Sequence, residues 1–170
     1  MNQSKNLNYH IEEKDKFYVV GFKKRITLQF EGVNHEIDEL YQKLTPEIIN
    51  ELKQHNDTTP QGMINVSCRF SDRTQEGSYL DQYIGVASSS PLNHYDVLEV
   101  EASTWAVFSV CGKFPEALQQ TWADIYATWL PSSNYEITGG PEILWNEGSD
   151  MSKPDYKSEI WIPVTLKSNL

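Results

Sequence analysis

The hydrophobic positions of the chain follow two periods, and the order of these periods occurs twice. Residues from Phe17 to Phe30 are rich in β-branched and aromatic side chains and alternate with period two, which predicts a long first strand. Between Asn34 and Leu52 the apolar residues recur every three or four positions, which predicts helix. Pro46 follows Thr45 as the first helical residue follows an N-cap, so we expect two short helices or one kinked helix.

Two alternating runs follow, Met63 to Phe70 and Tyr79 to Ala87, and they predict a hairpin. After a break at Ser88 to Pro91 the same order returns, with strands at Val97 to Glu101 and Thr104 to Cys111, a helix from Pro115 to Pro131, and strands at Tyr135 to Trp145 and Glu159 to Leu166. The sequence therefore predicts an α+β fold in which two β-α-β-β modules form an antiparallel sheet with helices on one face. We expect one stand-alone domain over residues 1–170, with halves at 16–90 and 91–168.

Composition and charge narrow the classes of function. The 170 residues include 14 Lys and Arg against 24 Asp and Glu, a formal net charge of −10, and 39% are hydrophobic. This balance favours a folded core, and it argues against direct binding of nucleic acid, which requires clustered positive charge. Cys68 and Cys111 lie in apolar runs and are expected to be buried free thiols. The polar first 16 residues and the lack of a long apolar segment argue against secretion and membrane insertion and predict a cytoplasmic protein.

Motifs for common chemistries are missing from the sequence. It has no glycine-rich phosphate-binding loop, no G-x-S-x-G and no H-E-x-x-H. The four histidines are scattered without a metal-ligand spacing. We therefore expect no metal site, no cofactor and no catalytic residue assigned by motif.

The most informative run is Ser158 to Val164, which alternates along the last strand. Alternation places Ile160, Ile162 and Val164 on the face that packs against helices. Glu159 and Trp161 then project side by side from the opposite face. The pair is either an exposed glutamate beside a half-buried tryptophan or a charged and aromatic ligand site.

Several short motifs, in this order and spacing, resemble one known family. The sequence is similar to the GyrI-like small-molecule-binding domain, also known as the effector-binding domain of AraC-type regulators, from about Tyr18 to Lys167. The motifs that carry the resemblance are Tyr18-Val-Val-Gly21, Tyr83-Ile-Gly-Val86, Thr104-Trp-Ala-Val-Phe108 with Gly112, Trp122 to Pro131 with Tyr135, and Glu159-Ile-Trp-Ile-Pro-Val164.

The resemblance implies two modules related by a pseudo-twofold axis, with a groove between them that receives small molecules. It also implies that Glu159 contributes a carboxylate to this groove, which suits a cationic or aromatic amphiphile. By strand parity, the companions of Glu159 and Trp161 in the groove are expected to be Tyr83, Trp105 and Asn65. The implied function is a small-molecule-binding module that senses or sequesters its ligand.

Two alternatives also follow from the resemblance. In the first, the protein is a hydrolase of reactive small molecules, with Glu159 and Tyr83 as catalytic residues. In the second, it is a gyrase-inhibitor-like module whose partner is a protein. The residues before Phe17 are too few for a helix-turn-helix segment, so we expect no DNA-binding domain and any effect on transcription to require a separate regulator.

Overall fold

The architecture is one antiparallel sheet with helices on one of its faces. The computed structural model describes residues 7–30, 34–148 and 150–168. Within these residues the sheet has nine strands, in the order β1-β6-β9-β8-β3-β4-β2-β5, with β7 pairing on β9. The strands are β1 (Asn8–Lys14), β2 (Phe17–Thr27), β3 (Ile64–Cys68), β4 (Tyr79–Ser88), β5 (Asp96–Val100), β6 (Ser103–Cys111), β7 (Tyr135–Ile137), β8 (Glu142–Asn146) and β9 (Lys157–Leu166).

The helices occupy the two predicted positions in the chain. A 3-10 turn at His35–Ile37 leads into α1 (Asp38–Gln42) and α2 (Pro46–Gln54), and the later helix consists of α3 (Glu116–Asp124), a π-helical segment (Ile125–Trp129) and α4 (Leu130–Ser132). The hydroxyl of Thr45 accepts a hydrogen bond from the backbone N–H of Ile48, and Pro46 is in the first turn of α2. The prediction of a capped second helix beginning at Pro46 is confirmed.

The order β-α-β-β occurs twice, as the sequence predicts. One unit is β2-α1-α2-β3-β4 and the other is β6-α3-β8-β9. The units meet where β3 pairs with β8, and Ile64 lies directly opposite Trp145 at this junction. Going outward from this junction, β4 corresponds to β9 and β2 corresponds to β6. The pseudo-twofold axis therefore passes between β3 and β8.

The strand that precedes each unit pairs with the other unit. β1 precedes β2 in the chain but pairs with β6, and β5 precedes β6 but pairs with β2. β1 was not predicted, because its residues read as a polar leader in the sequence. As a result of this exchange, side chains from residues 8–14 lie beside the second unit.

The two faces of the sheet are both packed. Ile160, Ile162 and Val164 pack against α3 and the π-helical segment, as predicted. On the opposite face, which we call the inner face, Trp161 belongs to a separate cluster that includes Trp105 and Tyr83.

The inner face is concave, because residues from distant strands meet on it. The ring centroids of Phe17 and Trp105 are 6.4 Å apart, although β2 and β6 are five strand spacings apart in the sheet. A flat sheet would separate these strands by about 24 Å. Strong curvature therefore encloses the inner face.

One expectation about the cysteines is wrong. Cys68 is buried on the inner face, but Cys111 is exposed. Cys111 is the last residue of β6, where the strand leaves the core, so strand-like sequence around it does not imply burial. In the described part of the chain no helix has the length and apolar character needed to cross a membrane.

Candidate ligand-binding cavity

Glu159 and Trp161 lie next to each other on the inner face, as strand parity predicts. The indole Nε1 of Trp161 donates a hydrogen bond of 3.0 Å to Oε1 of Glu159. Trp161 is buried and Glu159 is half-buried. Among the described residues nothing donates to the second carboxylate oxygen, Oε2. The indole therefore orients the carboxylate and leaves one oxygen to accept a ligand.

A cavity of about 290 Å³ opens beside this pair. The indoles of Trp145 and Trp161 form part of its wall, and Trp145 is the direct cross-strand neighbour of Glu159. The opposite wall is the loop segment Thr59 to Gln61. Nε1 of Trp145 donates a 2.7 Å hydrogen bond to the backbone carbonyl of Gln61, which ties this wall to β8.

The loop wall is held in place mainly by one asparagine. The side-chain Nδ2 of Asn56 donates to the carbonyl oxygens of Ala87 at 2.7 Å and Thr58 at 3.0 Å. Its Oδ1 accepts from the backbone N–H of Gly62 at 2.5 Å. Asn56 therefore connects both ends of the loop to β4, and the cavity has a preformed wall.

Strand β1 supplies the remaining wall of the cavity. His10 and Glu12 line it, and Nε2 of His10 lies 3.1 Å from Oε1 of Glu12. Lys14 lies on the same face of β1, and its Nζ donates to the hydroxyls of Thr58 at 2.8 Å and Thr59 at 3.3 Å. Partial burial lowers the pKa of Lys14 below its ordinary value. Sequence reasoning missed these residues because it did not assign β1.

The cavity combines negative charge with aromatic surface. Two carboxylates and one imidazole line it, and no lysine or arginine does so among the residues that the structure describes. The same residues contain no group of three or more His, Cys, Asp or Glu that could hold a metal ion. Chemically, this lining suits a ligand that offers a positive charge and flat apolar groups.

Two of the predicted companions lie on the inner face but outside the cavity. Trp105 and Tyr83 lie on the inner face, but both are almost fully buried and neither lines the cavity. The ring of Trp105 packs edge-on against Trp161 with centroids 6.0 Å apart. Tyr83 lies three strands away from β9, and its hydroxyl accepts a 3.4 Å hydrogen bond from Arg69. Nε1 of Trp105 is buried and has no hydrogen-bond partner among the described residues.

The prediction that Asn65 faces the groove is wrong. Val66 pairs with Tyr83 and therefore points to the inner face, so Asn65 points to the helix face. There its Oδ1 accepts a hydrogen bond from the hydroxyl of Tyr41 in α1 at 3.3 Å. The apolar alternation of β3 was assigned to the wrong face because both faces of the sheet are packed.

A second depression, of about 480 Å³, lies at the end of β1, beside the start of β6 and the end of β9. Its lining includes the hydroxyl-bearing residues Ser103, Thr104 and Thr138, with Glu13 and Lys14 at its edge. No aromatic side chain lines it. The depression is larger than the first cavity but lacks a surface on which a flat apolar ligand could stack.

Comparison with known proteins identifies one family. The sequence model described as the GyrI-like small molecule binding domain matches residues 7–165, which is nearly the whole chain. No curated protein matches the sequence.

Solved structures share the fold. The chain is 21% identical to SAV2435, whose structure was determined bound to tetraphenylphosphonium; the match covers 93% of this chain and 94% of that one, with a TM-score of 0.71. A Staphylococcus aureus MU50 protein assigned to bacterial transcription regulation is 22% identical, with coverage of 94% and 99% and a TM-score of 0.70. The C-terminal domain of EcmrR is 16% identical, with coverage of 95% and 99% and a TM-score of 0.61. At these identities the likeness establishes the fold.

Proposed function

Because the chain belongs to the family of GyrI-like small molecule binding domains, we propose that it binds a cationic ligand with aromatic or apolar groups in the cavity beside Glu159. The observation that carries this proposal is the carboxylate of Glu159, which is held by the indole of Trp161 and has Oε2 directed to no protein donor among the described residues. The protein then acts as a sensor of its ligand or as a sequestering protein.

The energetics favour a cation over a neutral analogue. Contact of a cation with an indole contributes about 0.5–2 kcal/mol, and the cavity lining includes two tryptophans, Trp145 and Trp161. A neutral ligand of the same shape would cover Glu159 and remove water from a carboxylate without replacing its hydrogen bonds, which costs about 1–3 kcal/mol or more. An anion would add direct repulsion from two carboxylates.

The size of the cavity restricts the ligand. Its volume of about 290 Å³ lies at the lower limit of about 300–1,000 Å³ that is typical of small-molecule sites. A compact ligand fits this space, and a bulky one such as tetraphenylphosphonium must also occupy the open mouth of the cavity. The tetraphenylphosphonium complex of SAV2435 supports the choice of that cation as a probe.

Tetraphenylphosphonium and tetraphenylborate form a matched pair for the test, since they have the same four phenyl groups and opposite charges. We expect isothermal titration calorimetry to detect binding of the cation and no binding of the anion. Glu159→Gln should weaken cation binding by about tenfold or more, which corresponds to about 1.4 kcal/mol. Glu136→Gln is the control, because it removes the same charge from an exposed position on β7, outside the cavity. Equal affinity of the wild-type protein and Glu159→Gln for the cation would refute the proposal.

Any effect of ligand binding on transcription would act through a separate protein. We infer that this domain makes no direct contact with nucleic acid, since its net charge is −10. The predicted protein partner is a separate regulator or gyrase, and the predicted location is the cytoplasm. No feature of the cavity specifically favours the hydrolase alternative, because Tyr83 lies outside the cavity that contains Glu159.

A further inference from the structure

We infer that the cavity selects ligands with two cationic centres, one held by Glu159 and the other by Glu12. The inference rests on the proposed function, because it concerns the same cavity. It adds a specificity-determining residue, Glu12, and a narrower class of ligand, an organic dication with an apolar spacer.

The strand register places the two carboxylates at opposite ends of the cavity. On β6, Ser109 lies opposite Glu159 of β9, and Trp105 lies opposite Glu12 of β1. The two glutamates are thus four residues apart along the strands and two strands apart across the sheet. This spacing corresponds to about 16 Å between their Cα atoms. Both side chains line the same cavity, so their carboxylates are available to one ligand.

The row of side chains between the two carboxylates contains the imidazole of His10 and the indole of Trp161. Trp161 pairs with Val107, which is halfway between Trp105 and Ser109 on β6. The indole of Trp161 therefore lies on the row of side chains between the rows of Glu12 and Glu159, and it lines the same cavity. A ligand with a short apolar spacer between two cationic groups would place the spacer against this indole.

The Glu12 carboxylate has two basic neighbours on β1, the imidazole of His10 and the ammonium of Lys14. His10 contacts it at 3.1 Å, and this hydrogen bond orients the carboxylate. The ammonium of Lys14, two residues along β1, donates to Thr58 and Thr59 of the loop. The side chain of Glu12 is 35% exposed, so an incoming cation can reach it.

The neighbouring Glu13 supplies a matched control. It lies on the same strand but points to the opposite face, since it pairs with Thr104 rather than Trp105. It does not line the cavity of Glu159. Glu12→Gln and Glu13→Gln therefore remove the same charge from the same edge strand, and only the first removes it from the cavity.

The test uses bis(trimethylammonium) alkanes of increasing chain length, compared with alkyl trimethylammonium ions of the same chain length that carry one charge. Calorimetry at one salt concentration measures both series against the wild-type protein, Glu12→Gln, Glu13→Gln and Glu159→Gln. In the wild-type protein and in Glu13→Gln we expect the dications to bind about fivefold or more tightly than the monocations, with an optimum at intermediate length. Glu12→Gln should abolish this advantage, and Glu159→Gln should weaken both series.

Two outcomes overturn the inference, and they differ in what they imply for the proposed function. If monocations and tetraphenylphosphonium bind through Glu159, but the dication advantage is absent in the wild type or survives in Glu12→Gln, the dication inference fails alone. If neither tetraphenylphosphonium nor any alkylammonium ion binds the folded wild-type protein, the proposed function fails and the inference fails with it.

Discussion

Replacing Arg73 by methionine removes the positive partner of a buried carboxylate on the helix face of the sheet. Nε of Arg73 donates a 3.2 Å hydrogen bond to Oε2 of Glu142, and Nη2 donates a bond of the same length to Oε1. The hydroxyl of Tyr126 donates a further bond of 2.8 Å to the same carboxylate. Burial, together with the nearby carboxylate of Glu142, raises the pKa of Tyr126 above its ordinary value, so the phenol stays protonated and keeps donating. The cluster joins the β3–β4 loop to β8 and to the π-helical segment.

The size of the effect follows from burial. The side chain of Glu142 is 7% exposed and that of Arg73 is 24% exposed, so Arg73→Met leaves an almost fully buried charge without its counterion. Such a loss costs about 3–5 kcal/mol of the free energy of unfolding. For a domain of this length, 1 kcal/mol corresponds to about 2–4 °C in Tm, and Tm should therefore fall by about 6–20 °C.

Urea unfolding followed by tryptophan fluorescence measures the change. The double variant Arg73→Met, Glu142→Leu removes both charges, and we expect it to recover most of the lost stability because no unpaired buried charge remains. The control is Lys153→Met, since Lys153 pairs with Glu147 at 3.4 Å while 42% of its side chain is exposed. That variant should lose less than about 1 kcal/mol.

The reasoning would be refuted by either of two results. A cost below 1 kcal/mol for Arg73→Met would mean that water or a shifted side chain already compensates the charge of Glu142. A double variant no more stable than Arg73→Met would mean that packing of the arginine, rather than its charge, stabilises this region.

Three further predictions concern the thiols, the cavity wall and the centre of the sheet. One thiol should react rapidly with Ellman's reagent at pH 8 in the native protein, because Cys111 is exposed whereas burial raises the pKa of Cys68 to about 11; two rapidly reacting thiols would contradict this. Asn56→Ala should lower the free energy of unfolding by about 2 kcal/mol and weaken tetraphenylphosphonium binding, because both ends of the loop wall lose hydrogen bonds; unchanged affinity would contradict it. Gly21→Ala should cost more than about 3 kcal/mol in a urea titration, since a Cβ there would lie 2.0 Å from the carbonyl oxygen of Ile84; wild-type stability would contradict it.

Strand parity was sufficient to predict that Glu159 and Trp161 project side by side from the face opposite the helices. Along β9 the alternation of Ile160, Ile162 and Val164 with Glu159 and Trp161 has one consistent interpretation, and the structure confirms it. The repeated order of strands and helices also predicted the two β-α-β-β units. In both cases the information is local, because it depends on the period of side chains along one segment.

The remaining residues of the site depend on long-range pairing. β1 is an edge strand with mostly polar or exposed residues, so its sequence carries a weak hydrophobic pattern. Its place beside β6 follows from the exchange of the leading strands between the two units, which no local period reveals. His10 and Glu12 therefore could not be assigned to the cavity from the sequence. Asn65 was assigned to the wrong face for a related reason. When both faces of a sheet are packed, alternating apolar residues such as Ile64 and Val66 do not show which face they belong to.

A crystal structure of the protein with tetraphenylphosphonium tests the central claim most directly. The account predicts that the phosphorus lies within about 6 Å of the Glu159 carboxylate, with phenyl groups against the indoles of Trp145 and Trp161. A ligand bound in the depression at the end of β1, or elsewhere on the surface with the Glu159 cavity unoccupied, would contradict it.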